Sequence, residues 1–191
     1  MKIGLFFGSF NPVHIGHLAI ANYFAEFSDL TQIWLVVSPQ SPFKNKKHLL
    51  PEYQRYHMVD LALQGDHQIR VSNIEFTLPK PSYTVDTLTY LREKYPRNRF
   101  CLIMGSDNLV HLHRWKNYKE LLAQYELYVY PRADTDPREF EDAYPFIRVD
   151  APLIEISSRM IRHSIREGKD MRYFLPSPTY QYIKEMHFYE K

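Results

Sequence analysis

Short apolar runs, rich in β-branched and aromatic residues and bounded by turn formers, recur along the chain and predict strands. They are KIGLFF (2–7), QIWLVV (32–37), IRVSNIEF (69–76), RFCLIM (99–104), ELYVYP (126–131) and FIRVD (146–150). Between them, apolar residues recur at helical spacing. These are Leu18, Ala21, Phe24 and Ala25; Tyr56, Val59 and Leu63; Leu88 and Leu91; and Leu121, Leu122 and Tyr125. Strands and helices therefore alternate.

This alternation predicts a Rossmann-like, doubly wound α/β fold, with a mostly parallel sheet and helices on both faces. Residues 155–170 and 175–190 read as two further helices that form a C-terminal helical cap on the same domain. The polar, proline-punctuated segment 130–145 reads as a loop with one surface helix, where no catalysis is expected. Ligands of such folds bind at the carboxyl ends of the strands.

Length and composition are those of an ordinary globular domain, so we expect one domain spanning residues 1–191. Apolar residues make up 45% of the chain, no run is long enough to cross a bilayer, and the start of the sequence is unlike a signal peptide. The single cysteine, Cys101, lies in an apolar run, which favours a buried thiol and a cytoplasmic location. A net charge of only +2 gives no reason to expect nucleic-acid binding. The sequence leaves open whether the chain forms a homo-oligomer.

The segment GSFNPVHIGH (8–17) forms the first connection from a strand to a helix, at the ligand-binding end of the sheet. Gly8 and Gly16 permit close approach of a ligand to the backbone, and Pro12 suits a turn that enters a helix. His14 and His17 are three residues apart, so both rings share one face of the first helical turn, beside free N–H groups. The alternative is that the histidines only cap and pack. No supporting set of ligands indicates a metal site, so none is predicted.

Two further segments lie at predicted strand-to-helix connections. In PSYTVDTL (81–88), Thr84 or Ser82 would cap a helix whose first turn contains Asp86. In GSDNLVHLHRW (105–115), which follows the strand 99–104, Asp107 either accepts hydrogen bonds from ribose hydroxyls or caps a helix.

The segment EISSRMIR (155–162) places two serines at a predicted helix start. Three arginines follow on roughly one face of that helix, namely Arg159, Arg162 and Arg166. Cations near a helix N-terminus oppose its dipole, a cost that a bound anion offsets. The alternative is a solvated basic face.

The opening segment resembles the G-x-F-x-P-x-H-x-G-H signature of the H-x-G-H nucleotidyltransferase superfamily. With SYTVDT, GSDNLVHLHRW and ISSRMIR in this order, the chain is similar to the bacterial nicotinate-nucleotide adenylyltransferase family from residue 3 to about residue 183. There are two departures from the family pattern. Arg159 stands where threonine is usual, and Phe43 stands where many members have histidine before the lysine, Lys44.

The resemblance implies adenylyl transfer from ATP to nicotinate mononucleotide, a step of NAD synthesis, with Mg²⁺ bound to the ATP phosphates. The implied catalytic residues are His14, His17, Lys44 and Arg162. The implied ATP-binding residues are Gly8, Ser9, Phe10, Gly16, Gly105, Ser106, Asp107, Ile156, Ser157 and Ser158. The implied nicotinate mononucleotide-binding residues are Tyr83, Thr84, Trp115 and Arg132.

Three other functions stay open on the sequence. Preference for nicotinamide mononucleotide depends on backbone geometry that the sequence does not display. Adenylylation of phosphopantetheine is disfavoured by the SYTVDT and HRW segments. A nucleotide-binding module without turnover is disfavoured by the retained His14, His17, Lys44 and Arg162.

Overall fold

One parallel sheet organises the chain, whose computed structural model describes residues 1–39 and 49–191. Its strands within those ranges are β1 (Lys2–Gly8), β2 (Gln32–Val37), β3 (Ile69–Ser72), β4 (Arg99–Gly105), β5 (Leu127–Tyr130) and β6 (Ile147–Arg148). They are ordered β3-β2-β1-β4-β5-β6, and every neighbouring pair is parallel. The chain winds outward in both directions from β1 and β4. The carboxyl ends of these two strands, Gly8 and Gly105, therefore border the crevice where doubly wound sheets bind ligands.

Helices connect the strands and cover both faces of the sheet. The α-helices in the described ranges are α1 (Ile15–Phe27), α2 (Glu52–Ala62), α3 (Thr84–Lys94), α4 (Tyr118–Gln124), α5 (Ser158–Arg166) and α6 (Ser177–Glu185). Shorter 3₁₀ segments lie at Ile74–Thr77, Ser106–Arg114, Pro137–Phe140 and Arg172–Phe174. None of the helices in residues 1–39 and 49–191 combines the length and hydropathy needed to span a bilayer.

The core is divided into two apolar clusters by the sheet. One contains Ile20 and Phe24 of α1, Met58 of α2, Ile161 of α5 and Ile183 of α6. The other contains residues of α3 and α4, among them Leu88, Leu91 and Leu121. The predicted doubly wound arrangement is therefore confirmed. The two C-terminal helices belong to the first cluster, where the Thr179 hydroxyl of α6 donates to the Met58 carbonyl of α2 at 2.9 Å.

Two local predictions were wrong. The predicted strand 69–76 ends at Ser72, because Asn73 leaves the extended conformation (φ −101°, ψ 20°) and Ile74 and Glu75 are buried by a 3₁₀ turn instead. Alternating apolar residues in that turn imitate the strand pattern. Neither Thr84 nor Ser82 caps α3, because Tyr83 occupies the N-cap position and no side chain caps it.

Cys101 lies in the middle of β4 and is buried, as predicted. Burial raises the pKa of its thiol to about 11, so the group stays protonated at neutral pH. A buried, protonated thiol in the sheet is a packing residue.

Candidate functional site

Two connected cavities open at the carboxyl ends of β1 and β4. The larger cavity, about 770 Å³, contains both histidines of the β1–α1 loop and the start of α5. The smaller cavity, about 560 Å³, is lined by the start of α3 and by aromatic side chains that include Tyr83 and Trp115. Both are lined by Phe7, Gly8, Ser9, Ser38, Asp107, Asn108 and Trp115. Two ligands bound there would meet at this shared wall.

His14 and His17 form a stacked pair on the wall of the larger cavity. Their ring centroids are 3.6 Å apart and the ring planes differ by 26°. The backbone N–H of His14 donates to Nδ1 of His17 at 3.3 Å, which leaves Nε2 to carry the proton of the neutral His17 ring. The Phe10 ring packs edge-on against His17, with centroids 5.0 Å apart. The prediction that both imidazoles share one face is therefore confirmed.

His14 is neutral in this arrangement. Burial, and secondarily the positive charge of Arg132, lower the pKa of His14 to about 4. Its Nδ1 is buried without a hydrogen-bond partner among residues 1–39 and 49–191. An unsatisfied buried nitrogen is costly, and this nitrogen is closed to ligands because it faces Gly16, where a Cβ atom would lie 3.1 Å from it. An anion bound in the cavity would stabilise the protonated ring by its charge.

The pKa of His14 is 6.5 in the unfolded protein and about 4 in the folded protein, so between these pH values the unfolded protein binds the proton more strongly. We therefore expect the free energy of unfolding to decrease as the pH falls from about 6.5 towards about 4. The His14→Asn variant, which keeps a polar group but does not titrate, should lose less stability over that range. Urea unfolding midpoints at about pH 7 and pH 5 measure the difference. Equal losses in the two proteins would contradict a lowered pKa at His14.

Gly8 and Gly105 allow neighbouring side chains to pack directly against the backbone. A Cβ atom on Gly8 would lie 2.7 Å from the Phe10 ring, and one on Gly105 would lie 2.5 Å from Oδ1 of Asp107. Phe10 itself has a φ of 44°, an unusual backbone conformation for a residue with a side chain. The conformation of the loop places its ring, which is 1% exposed, over Gly8 and against His17.

The start of α5 closes the larger cavity from the other side. Ser157 is the N-cap, and its hydroxyl accepts the N–H of Met160 at 3.2 Å, as predicted from the serine pair. The Ser158 hydroxyl donates to the Pro12 carbonyl at 2.9 Å. Arg162 donates from Nη1 to the Asn11 carbonyl at 2.6 Å. The β1–α1 loop and α5 are thus joined directly. Arg159 and Arg162 line the same wall of the cavity and form a basic surface beside the N-terminus of α5.

The smaller cavity is aromatic and polar. Tyr83 and Thr84 begin α3, and Nζ of Lys116 lies 4.9 Å from the centroid of the Tyr83 ring while it pairs with Asp86 at 2.8 Å. The cation and its carboxylate partner hold the Tyr83 ring in place. Glu75 lines the same cavity and is buried, and its Oε1 accepts the Thr87 hydroxyl at 2.8 Å. Burial raises the pKa of Glu75, although hydrogen bonds to its carboxylate oppose the shift.

Most of the predicted site residues come together around these two cavities. The larger cavity is lined by Gly8, Ser9, Phe10, His14, Gly16, His17, Gly105, Asp107, Ile156, Ser157, Ser158 and Arg162. The smaller cavity is lined by Tyr83, Thr84 and Trp115. Lys44, with its neighbour Phe43, lies outside the described residues.

Ser106 and Arg132 are placed differently from the expectation. Ser106 lines neither cavity; its buried hydroxyl donates to the Thr135 carbonyl at 2.6 Å and accepts the Arg132 N–H at 2.9 Å. It joins the loops after β4 and β5. Arg132 lines the larger cavity and not the smaller one, and it donates from Nη1 to the Ile154 carbonyl at 3.4 Å.

Sequence reasoning missed several residues of the site. Glu75 was assigned to a strand, and Ser38, Asn108 and Lys116 were not singled out. Two of them had a signal in the sequence: Asn108 follows Asp107, and Lys116 follows Trp115. Within the described part of the chain, no three His, Cys, Asp or Glu side chains are grouped closely enough to hold a metal ion.

Comparisons with known proteins agree with this geometry. A family model described as cytidylyltransferase-like matches residues 5–164. Two relatives carry the name "Probable nicotinate-nucleotide adenylyltransferase": one from Flavobacterium johnsoniae is 53% identical over 100% of both chains, and one from Christiangramia forsetii is 51% identical over 99% of this chain and 98% of its own.

A solved structure extends the comparison to three dimensions. Nicotinic acid mononucleotide adenylyltransferase of Plasmodium falciparum, in complex with NaAD, superposes with a TM-score of 0.85 at 19% identity, covering 98% of this chain and 97% of that one. At that identity the likeness establishes the fold.

Proposed function

The chain belongs to the cytidylyltransferase-like family and, within it, to the nicotinate-nucleotide adenylyltransferases, and we propose that it transfers the adenylyl group of ATP to nicotinate mononucleotide. The products are nicotinate adenine dinucleotide and pyrophosphate, and the reaction is a step of NAD synthesis. The observation that carries the proposal is the pair of cavities that share a wall at Gly8, Ser9 and Asp107. Two substrates that react phosphate to phosphate need this arrangement.

ATP is assigned to the larger cavity. That cavity combines the histidine pair, Arg159, Arg162 and the N-terminus of α5, all of which favour a polyanion. Mg²⁺ enters as part of the substrate, bound to the triphosphate, and neutralises charge on its oxygens. Asp107 lies at the shared wall, where its carboxylate oxygens could accept hydrogen bonds from ribose hydroxyls or coordinate Mg²⁺.

Nicotinate mononucleotide is assigned to the smaller cavity. The flat rings of Tyr83 and Trp115 suit contact with a pyridine ring, and the first N–H groups of α3 lack partners within the helix and suit a carboxylate. Arg132 lies on the larger cavity, so it would reach the mononucleotide phosphate only where the two ligands meet.

The reaction needs no protein base. The phosphate of the mononucleotide, with a second pKa of about 6, is largely ionised at neutral pH, and one of its oxygens attacks the α-phosphorus of ATP. The bond from that phosphorus to the oxygen bridging to the β-phosphate breaks, and pyrophosphate leaves with both electrons. Catalysis is therefore positioning and electrostatic stabilisation, which the histidine pair and Arg162 are placed to supply.

The test is Mg²⁺-dependent pyrophosphate release from ATP with each acceptor in turn. We expect turnover with nicotinate mononucleotide and much less with nicotinamide mononucleotide or phosphopantetheine. Preference for either of those two acceptors would replace the proposed substrate. ATP binding without turnover on any acceptor would instead indicate a nucleotide-binding module.

Replacing Tyr83 by alanine should raise KM for nicotinate mononucleotide by about tenfold, because stacking of a base on an aromatic ring is worth about 1–3 kcal/mol. Tyr83 lines only the smaller of the two cavities, so KM for ATP should change little. Steady-state kinetics with each substrate varied in turn separate the two effects. Tyr83→Phe keeps the ring and serves as the control. An equal rise in both KM values would contradict the assignment of the cavity.

A further inference from the structure

The β1–α1 loop has its carbonyl oxygens occupied by donors from other parts of the chain. The Gly8 carbonyl accepts the Ser38 N–H at 2.9 Å, and the Ser9 carbonyl accepts Arg55 Nη1 at 2.6 Å. The Asn11 carbonyl accepts Arg162 Nη1 at 2.6 Å, and the Pro12 carbonyl accepts the Ser158 hydroxyl at 2.9 Å. A loop that binds phosphate must present N–H groups and keep carbonyl oxygens away from the anion. Because these donors occupy the four carbonyl oxygens, the oxygens are not left free to repel an anion.

Arg55 of α2 is the central donor of this set. Its side chain is fully buried and donates to four carbonyl oxygens, those of Ser9, Ser38, Pro39 and Leu50, at 2.6 to 3.1 Å. Burial lowers the pKa of Arg55 to about 10, so the guanidinium is still charged at neutral pH. Ser9 and Ser38 line both cavities, which means that Arg55 fixes the backbone at their shared wall.

Tyr189 reaches the same loop from the other end of the sequence. Its hydroxyl donates to Oδ1 of Asn11 at 2.7 Å, across a separation of 178 residues. Burial raises the pKa of the Tyr189 hydroxyl, and the positive charges of Arg162 and Arg55 oppose that shift. Phe188, 8% exposed, anchors the segment in the core beside α6. Nothing in the proposed chemistry uses this tyrosine directly.

We propose that Tyr189 is a positioning residue of the adenylyl-transfer site, acting through Asn11. Together with Arg55 and Arg162 it forms a set of donors to the β1–α1 loop, which we call the loop brace. The loop brace keeps polar groups of the loop occupied by hydrogen bonds and fixes the backbone that leads into His14. Its effect on turnover rests on the proposed function, whereas its effect on the loop does not.

The test compares Tyr189→Phe with Tyr128→Phe. Each variant removes one tyrosine hydroxyl. The Tyr128 hydroxyl donates to Asp29 and to Glu126, beside Lys2 at the start of β1, and Tyr128 lines neither cavity. We expect Tyr189→Phe to lower kcat/KM for ATP about three- to tenfold, the range of one hydrogen bond, and to speed amide hydrogen exchange in residues 9–14. Tyr128→Phe should lower Tm but leave kcat/KM and that exchange unchanged.

The proposal is overturned if Tyr189→Phe keeps the kcat/KM and the exchange rates of the wild type. It is also overturned if Tyr128→Phe changes them equally, because both effects would then follow from global stability. A wild-type protein that releases no pyrophosphate with any acceptor would refute the proposed function instead. In that case, amide hydrogen exchange in residues 9–14 of Tyr189→Phe and the wild type would still test the loop brace, because it needs no measurement of turnover.

Discussion

Replacing His17 by alanine is expected to lower kcat for adenylyl transfer about a hundred- to a thousand-fold, the typical effect of losing one donor aimed at transition-state charge. The ring is oriented in advance, by the His14 N–H on its Nδ1, by the stacked His14 ring and by the edge of Phe10. A donor fixed in this way needs no reorganisation as charge develops on the α-phosphoryl oxygens. The loss should therefore appear in kcat more than in KM for ATP.

Two variants make the measurement specific. His17→Gln keeps a side-chain N–H and should recover part of the lost rate. His67→Ala removes an exposed histidine just before β3, at the opposite end of the sheet, and should leave kcat unchanged. Pyrophosphate release at saturating ATP and nicotinate mononucleotide gives kcat directly. A His17→Ala protein that folds normally and keeps the wild-type kcat would remove the histidine from the mechanism.

The alternation of strands and helices and the β1–α1 corner were predictable from the sequence because local patterns determine them. The apolar run at 2–7, the glycines and the H-x-x-H spacing are all contained in residues 2–17. The serine cap of α5 is equally local, since Ser157 caps a nitrogen three residues away. Each of these features depends on residues that are close together in the sequence.

The missed residues depend on neighbours that folding brings from a distance. Glu75 meets Thr87 through a turn that imitates a strand pattern, and Arg55 gathers carbonyls from the loops after β1 and β2. Ser106 likewise donates to the carbonyl of Thr135, 29 residues further along the chain. A residue type shows that a side chain can donate or accept a hydrogen bond. The partner it meets is fixed only by the packing of the sheet, and Tyr189 with Asn11 is the most distant instance.

Arg162 is the second residue whose loss should be severe, with an expected decrease in kcat/KM of about a hundred- to a thousand-fold for Arg162→Ala. The guanidinium has two tasks, since it binds the Asn11 carbonyl at 2.6 Å and lines the larger cavity. Alanine removes the positive charge from the cavity wall and removes the donor from a carbonyl of the β1–α1 loop. Burial, together with the charges of Arg159 and Arg166, lowers the pKa of Arg162, so an anion at this position relieves an unfavourable concentration of charge.

The comparison that decides this prediction is between Arg162→Ala, Arg162→Lys and Arg166→Ala. Lysine keeps the charge but lacks the planar fork that serves two partners, so it should recover only part of the activity. Arg166 lies one turn further along α5 and is exposed, and its removal deletes the same charge without touching the loop. If a general positive field were sufficient, Arg166→Ala would be as inactive as Arg162→Ala at low salt, and added salt would mask both losses. We expect instead that the loss in Arg162→Ala persists at high salt while Arg166→Ala stays near wild type, because the Asn11 contact is local and partly buried.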